Sequence, residues 1–283
     1  MGIEDLIHET AMLASLDHPN IIKLHGRASG HGFVSKVPNP NDGYFILLDR
    51  LTDTLDDRIN RWKESKAASS INDQPSLTQV KIASSIAGVL SYLHSKDIVF
   101  CDLKPANIGF DCTGVVKLFD FGLAASIDQS SESSNNESSV SKLLQDQRGT
   151  LRYMAPEIGL DLGYSFPADV YSFGMLLWEM CILEKPFNSV KSPHTFYRKV
   201  FEEGERPKLS EHWPRILNNV MSRCWSSHPD DRPTIHLVET TLHAHAREYE
   251  QEISHSAKSA IKKTLFRRVT CLKQCKLRGL FRV

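Results

Sequence analysis

The sequence has no net charge and no acidic residue in its last 28 positions: all 34 Asp and Glu precede residue 256, while nine of the 34 Lys and Arg follow it. Zero net charge removes any global electrostatic case for a nucleic-acid partner, and none is expected. It also conceals an acidic body and a wholly basic tail, an asymmetry typical of interaction segments. Long apolar runs are absent too. None approaches the ~20 residues that span a bilayer, and the opening MGIEDLIHETAML lacks a signal-peptide core, so a soluble, cytoplasmic chain is expected. Leu6 stands where a myristoylation signal needs Ser or Thr. The six cysteines form no Cys-x-x-Cys pair, which argues against zinc sites and a disulfide scaffold and for reduced thiols. No Gly-x-Gly-x-x-Gly occurs; Gly26, Gly30 and Gly32 are the nearest approach.

What is present reads as helices and short strands. Ile3, Leu6, Ala11, Leu13 and Leu16 predict a helix over 3–16, stopped by His18-Pro19-Asn20. IIKLHG (21–26) and YFILLD (44–49) read as strands flanking a loop rich in Gly, Pro and Asn. Leu55, Ile59 and Trp62 mark one face of a short helix. Ser76 is placed to N-cap a longer helix through about His94, with Ala83, Ile86, Ala87, Leu90 and Leu93 as its buried stripe. Short strands and tight turns fill 97–121. DVYSFGMLLWEMCIL (169–183) is apolar nearly all round, as in a helix buried on every side. Amphipathic helices are expected near 193–203, 213–225 and 233–252. SIDQSSESSNNESSVS (126–141) is too polar to bury and reads as a mobile, serine-rich linker.

Three motifs carry chemistry: VFCDLKPANIGF (99–110), KLFDFGLA (117–124) and GTLRYMAPE (149–157). Each alone recurs by chance; three in this order and spacing do not. Through them the chain resembles the eukaryotic protein kinases of serine/threonine type, over about residues 3–250. The resemblance implies transfer of the ATP γ-phosphoryl group to a protein hydroxyl with magnesium, chemistry that asks a protein mainly to position groups and neutralise charge. It implies that Asp102 takes or orients the hydroxyl proton, that Lys104 reaches the transferring phosphate, and that Thr150 bonds the catalytic Asp. Asn107 and Asp120 would hold magnesium, a hard cation that prefers oxygen ligands. Leu48 aligns as gatekeeper, Asp49 as the following acid and Leu51 as the residue whose backbone meets adenine. Asp169 resembles the anchor of the catalytic loop, and Glu157 with Arg232 an ion pair behind the activation segment. Leu13, Leu24, Phe100 and Phe121 align with the apolar column that joins the lobes. RCWSSHPDDRP and GERPKL (223–233 and 204–209) resemble the tyrosine-kinase-like branch.

The pattern also departs from the family. Phe100 and Cys101 replace the usual His-Arg, so the chain resembles non-RD kinases, and Cys101 cannot pair with a phosphate on the activation loop as Arg does. Glu9 aligns with the helix glutamate that pairs with a phosphate-holding Lys, yet that Lys and the Gly-rich loop are not in the sequence. Gly109 stands where many kinases carry a Leu beneath the adenine, implying a weaker hold on the nucleotide. The expected fold is therefore α+β, of protein-kinase type, with a complete helical C-terminal lobe and a truncated N-terminal lobe holding only the family's αC helix and its fourth and fifth strands. Residues 1–51 would form the partial N-lobe, 52–250 the C-lobe with 126–148 as its mobile activation loop, and 251–283 a basic tail. Two readings of the truncation stay open: a piece of a longer active kinase, or a pseudokinase scaffold acting through the C-lobe and tail.

In that tail Ile261, Leu265, Val269 and Leu272 recur at helical spacing among Lys262, Lys263, Arg267, Arg268 and Lys273. Such a basic amphipathic helix suits a membrane surface or a calmodulin-like partner, and Cys271 and Cys275, one turn apart, suit palmitoylation. A solvated basic extension is the alternative.

Overall fold

The computed structural model of the chain describes residues 3–28, 45–67, 74–127, 150–160 and 163–279, with backbone alone over 259–279. The expected mobile linker therefore falls almost wholly outside the described residues, as do Gly30 and Gly32. The fold mixes helix and strand, a small β element with one helix joined to a mostly helical body. Helix α1 (Ile3–Ala14) packs on an antiparallel pair, β1 (Leu24–Ala28) and β2 (Phe45–Leu48). That pair buries neither face fully: Phe45 and Leu47 point outward, 44% and 57% exposed.

The strand expected over 21–26 starts only at Leu24. Ile21 and Ile22 are both buried, and Ile22 N–H donates to the Leu118 carbonyl at 2.9 Å while Leu118 N–H donates to Asn20 at 2.7 Å. Successive residues of a half-buried strand face opposite sides. Two consecutive isoleucines can both be buried only where the chain is enclosed on all sides, and here that is the junction between the two parts of the molecule.

The body begins with β3 (Asp53–Thr54), which pairs with β5 (Ile108–Phe110), itself paired with β6 (Val116–Leu118). A second small pair joins β4 (Ile98–Val99) to β7 (Ala125–Ser126). Helix α2 (Leu55–Ala67) follows β3, and α3 (Leu77–His94) starts where expected, because Ser76 and Gln79 close a reciprocal capping box: Ser76 Oγ accepts from Gln79 N–H, and Gln79 Oε1 from Ser76 N–H at 2.6 Å. At the centre lies the Phe166–Ile182 helix, buried at every residue from Ala168 to Cys181. It approaches the Arg215–Cys224 helix so closely at Gly174 that a Cβ there would lie 2.8 Å from that of Cys224. Residues 193–203 form a short helix (Pro193–Phe196) running into a π-turn (Tyr197–Glu202).

The last helix, Ile235–Gly279, is far longer than the expected 233–252. No proline or glycine lies between Thr234 and Arg278 to stop it. Its first part lies along α3, tied by Lys81 Nζ to Glu250 Oε1 at 2.9 Å.

Candidate active site

The central helix sets the site. Asp169, 1% exposed, accepts from the N–H groups of Phe100 (Oδ2) and Cys101 (Oδ1), both at 2.9 Å, and Oδ2 also meets His94 Nε2 at 2.9 Å. These bonds hold the segment after β4 in a tight turn in which Cys101 takes a left-handed φ of 69°, a conformation its Cβ disfavours. The turn delivers Asp102 into a buried position. A 3-10 turn, Pro105–Asn107, then returns the chain into β5. Asn107 Nδ2 donates to Asp102 twice, to its carbonyl and to Oδ2, each at 2.9 Å. Lys104 Nζ reaches the same Oδ2 at 2.5 Å.

One carboxylate oxygen of Asp102 therefore carries two donors. The other, Oδ1, is buried and has no hydrogen-bond partner among the described residues. Burial raises the pKa of this carboxyl, and the negative charge of Asp120 adds to the rise; the charge and hydrogen bond of Lys104 and the amide of Asn107 pull it back.

Asp120 follows β6 with φ 66°. The backbone bond from Phe119 N–H to the Asn107 carbonyl, 3.1 Å, sets it beside the loop. Next to it, Phe121 N–H donates at 3.2 Å to Oε1 of Glu9 on α1, and His8 Nε2 bonds the Ala124 carbonyl at 2.7 Å. Adjacent residues of α1 thus hold Phe121 and Ala124, the two ends of the stretch that directly follows Asp120. Glu9 is buried, and among the described residues no Lys or Arg pairs with it. Burial raises its pKa, and Asp120 raises it further, against the bond from Phe121.

The remaining candidates lie apart from this cluster. Leu48 ends β2 opposite Leu24 and packs against the core. Asp49 turns its side chain to β1, accepting from Lys23 N–H at 3.2 Å and meeting His25 Nε2 at 2.7 Å. Leu51 lies against Gly109 of β5. Thr150 falls in a 3-10 turn, Thr150–Arg152, and its side chain is outside the described residues. Phe100 and Phe121 meet edge to face, 5.2 Å between ring centres, in one buried cluster with Leu13, against which Leu24 packs. Arg232 forks onto Glu157, with Nη2 to Oε2 at 2.8 Å.

Sequence reasoning missed two groups. His94 looked like a helix end, yet it is the third partner of Asp169. Tyr153 donates to fully buried Glu179, which Lys185 meets at 3.0 Å while also bonding Asp56. This chain of contacts pins the segment before Ala155 to the central helix. No local pattern marks either group, since His94 lies 75 residues from Asp169 and Tyr153 lies 26 from Glu179.

The donor set can be tested for a metal. Among the described residues no three His, Cys, Asp or Glu side chains gather as a preformed cage. Cys101, the nearest soft donor, is kept as a thiol: burial, then the charges of Asp169 and Asp102, push its pKa well up. What remains is hard oxygen, the Asp120 carboxylate and the Asn107 amide oxygen left once Nδ2 is engaged. Two such ligands fit a cation of magnesium type, which keeps its waters and shares substrate oxygens.

Comparison with known proteins is consistent with this geometry. The family model described as protein kinase domain matches residues 2–245. A probable serine/threonine-protein kinase of Dictyostelium discoideum is 31% identical over 238 residues, 83% of this chain and 13% of the relative. Mitogen-activated protein kinase kinase kinase 7 of Drosophila melanogaster is 28% identical over 250 residues, 87% of this chain and 32% of the relative. Serine/threonine/tyrosine-protein kinase HT1 of Arabidopsis thaliana is 27% identical over 267 residues, 94% of this chain and 61% of the relative. The chain thus spans less than two thirds of the length of each.

Proposed function

Since the chain belongs to the protein kinase family, we propose that it transfers the γ-phosphoryl group of ATP to serine or threonine hydroxyls of a protein substrate. The observation that carries this is the buried Asp102, with one oxygen bound by Lys104 and Asn107 and the other unengaged among the described residues. Oδ1 is the atom that receives the substrate proton as the hydroxyl oxygen bonds to phosphorus and the bond to the ADP oxygen breaks. A carboxyl whose pKa is raised by burial is a better match for that proton than an exposed one. Lys104 holds Asp102 in place and presents positive charge to the transferring group. Asn107 and Asp120 would hold magnesium, which when bound neutralises phosphate charge. Thr150 orients Asp102, and Leu48, Asp49 and Leu51 border the adenine. Glu9 fixes the Asp120 segment through Phe121. Residues 1–51, 52–250 and 251–283 serve as small lobe, large lobe and tail; outward Phe45 and Leu47 support a small lobe that these residues supply only in part.

Magnesium-dependent phosphate incorporation into a serine-rich protein tests this reading. Asp120→Ala should lower the rate ~10²-fold or more, the usual loss for one preorganised charge-stabilising group. Incorporation undiminished in Asp120→Ala would mean that the activity belongs to something else and that the chain is a scaffold.

Cys101 supports a non-RD reading in which activity does not await a phosphate on the activation loop. A second contact is favoured by the last helix, which runs on past Glu252 through residues 256–279, where the sequence has eight Lys and Arg and no acid. We read it as a site for an anionic surface, lipid headgroups or an acidic calmodulin-like protein, on a cytoplasmic chain; no described helix is long and apolar enough to cross a membrane. Removing 256–283 should abolish sedimentation with phosphatidylserine vesicles, and unchanged sedimentation would remove the lipid alternative.

A further inference from the structure

Gly109 is the middle residue of β5, paired with Thr54 on one side and Lys117 on the other. Its neighbours Ile108 and Phe110 are fully buried in the core, so by strand alternation position 109 faces the opposite side of the small sheet. Its φ is not in the left-handed region, so the backbone itself accepts any residue. What forbids a side chain is Leu51. A Cβ at 109 would lie 2.4 Å from Leu51 Cδ1, 3.2 Å from Cγ and 3.3 Å from Cδ2. The whole branched end of Leu51 occupies the volume that a side chain at 109 would fill.

Leu51 is held there by its own backbone neighbour. Thr52 N–H donates to the Phe110 carbonyl at 2.8 Å, and Thr52 Oγ1 bonds the same oxygen at 3.1 Å. The connection leaving β2 is thus clamped to the end of β5, and Leu51 is laid onto Gly109 as a knob onto a hole. Gly109 follows Asn107 by two residues on β5, and Leu51 follows the end of β2 at Leu48 by three.

We propose that Leu51, seated on Gly109, is the apolar floor on which the purine of the nucleotide rests. Its side chain, and not only its backbone, then determines nucleotide affinity. This rests on the functional reading above. It also changes what Gly109 means: the missing side chain is no loss of apolar contact, because Leu51 supplies the contact from the facing segment. The floor is carried by the connection between the two parts of the molecule instead of by the strand, so its position follows that connection.

The test measures Mg·ATP binding by titration calorimetry, and melting temperature without nucleotide, for the full chain and three variants: Leu51→Ala, Gly109→Leu, and the two combined. Leu51→Ala should weaken binding about tenfold, the loss expected for removing partly buried methyl and methine groups from a contact. Gly109→Leu places two side chains in one volume and should lower both melting temperature and affinity. The double variant moves the side chain from one partner to the other and should recover both. A Leu51→Ala chain that binds ATP as tightly as the parent, or a double variant no better than Gly109→Leu alone, overturns the proposal while leaving the functional reading intact. A parent chain that binds no ATP overturns both.

Discussion

The carboxylate of Asp169 accepts the N–H of Cys101 at 2.9 Å while Cys101 is held at φ 69°. A residue with a Cβ enters the left-handed region at a cost of roughly 1–2 kcal/mol. That conformation persists because a buried charge, itself supported by His94, gathers two adjacent N–H groups. The central helix therefore sets the direction in which Asp102 leaves the turn.

Asp169→Ala should accordingly remove both structure and activity. Two buried N–H groups would lose a charged acceptor, and bonds to charged groups are worth about 1.5–3 kcal/mol each. The melting temperature should fall by several degrees, and phosphoryl transfer should fall further than the stability loss explains. A variant that keeps full activity at a temperature where it is folded would show that the turn holds its shape without the anchor.

Cys101→Arg tests a different property of the same position. The backbone at 101 already accepts a non-glycine side chain. With Cys, phosphatase treatment should leave the rate unchanged, because no cation at 101 waits for a phosphate. With Arg, the rate should become sensitive to phosphatase. If the parent loses its activity on dephosphorylation, regulation runs through other cations and the non-RD reading fails.

Much of this site was legible because its identity is local. Asp102, Lys104 and Asn107 fall within six residues, so one motif fixes their mutual placement. Ser76 announced the start of α3 as an N-cap, and the nearly all-apolar run from Val170 announced the central helix. Other features were not local. The left-handed turns at Cys101 and Asp120 are imposed by partners far along the chain, and neither sequence position is a glycine. Ile21 and Ile22 look like strand, but their burial against the larger body overrides pairing with β2. Residues 233–252 and the tail read as separate helices because the apolar stripe shifts around the axis between them. Backbone continuity needs only the absence of breakers, and in that respect the sequence did carry the signal. Gly109 was read as a deficit because Leu51, its partner, is 58 residues away.

Two glycines in helices should respond oppositely to alanine. At Gly174 the added Cβ meets the Cys224 Cβ at 2.8 Å, between two packed helices that cannot separate without disturbing the core. Overpacking of this kind costs about 1–3 kcal/mol. At Gly88, within α3, the nearest atom is Glu239 Oε1 at 3.3 Å, the far end of a flexible side chain. There the better helix propensity of alanine should dominate, a gain of up to ~1 kcal/mol. Thermal unfolding should show Gly174→Ala melting below the parent and Gly88→Ala above it. Equal shifts would mean that the close approach at Gly174 relaxes at no cost.

Glu9 gives a prediction that depends on pH. Its carboxyl is buried and its pKa is raised, first by burial and then by the charge of Asp120. A carboxyl with a raised folded-state pKa holds its proton more tightly in the folded chain than in the unfolded one. Its favourable contribution is complete below the ordinary value of 4.5 and is lost as pH rises through the folded-state value. At neutral pH the ionised group therefore weighs against folding. Glu9→Gln keeps an oxygen to accept from Phe121 N–H and removes the charge. The variant should melt higher than the parent at pH 7–8, by about 2–4 °C if the charge is worth ~1 kcal/mol. The difference should shrink as the buffer is taken down toward pH 4.5, where the parent carboxyl is protonated as well. A difference that stays constant across this range would locate the effect in packing, and one of opposite sign would mean that Glu9 is paired with a cation in the folded protein.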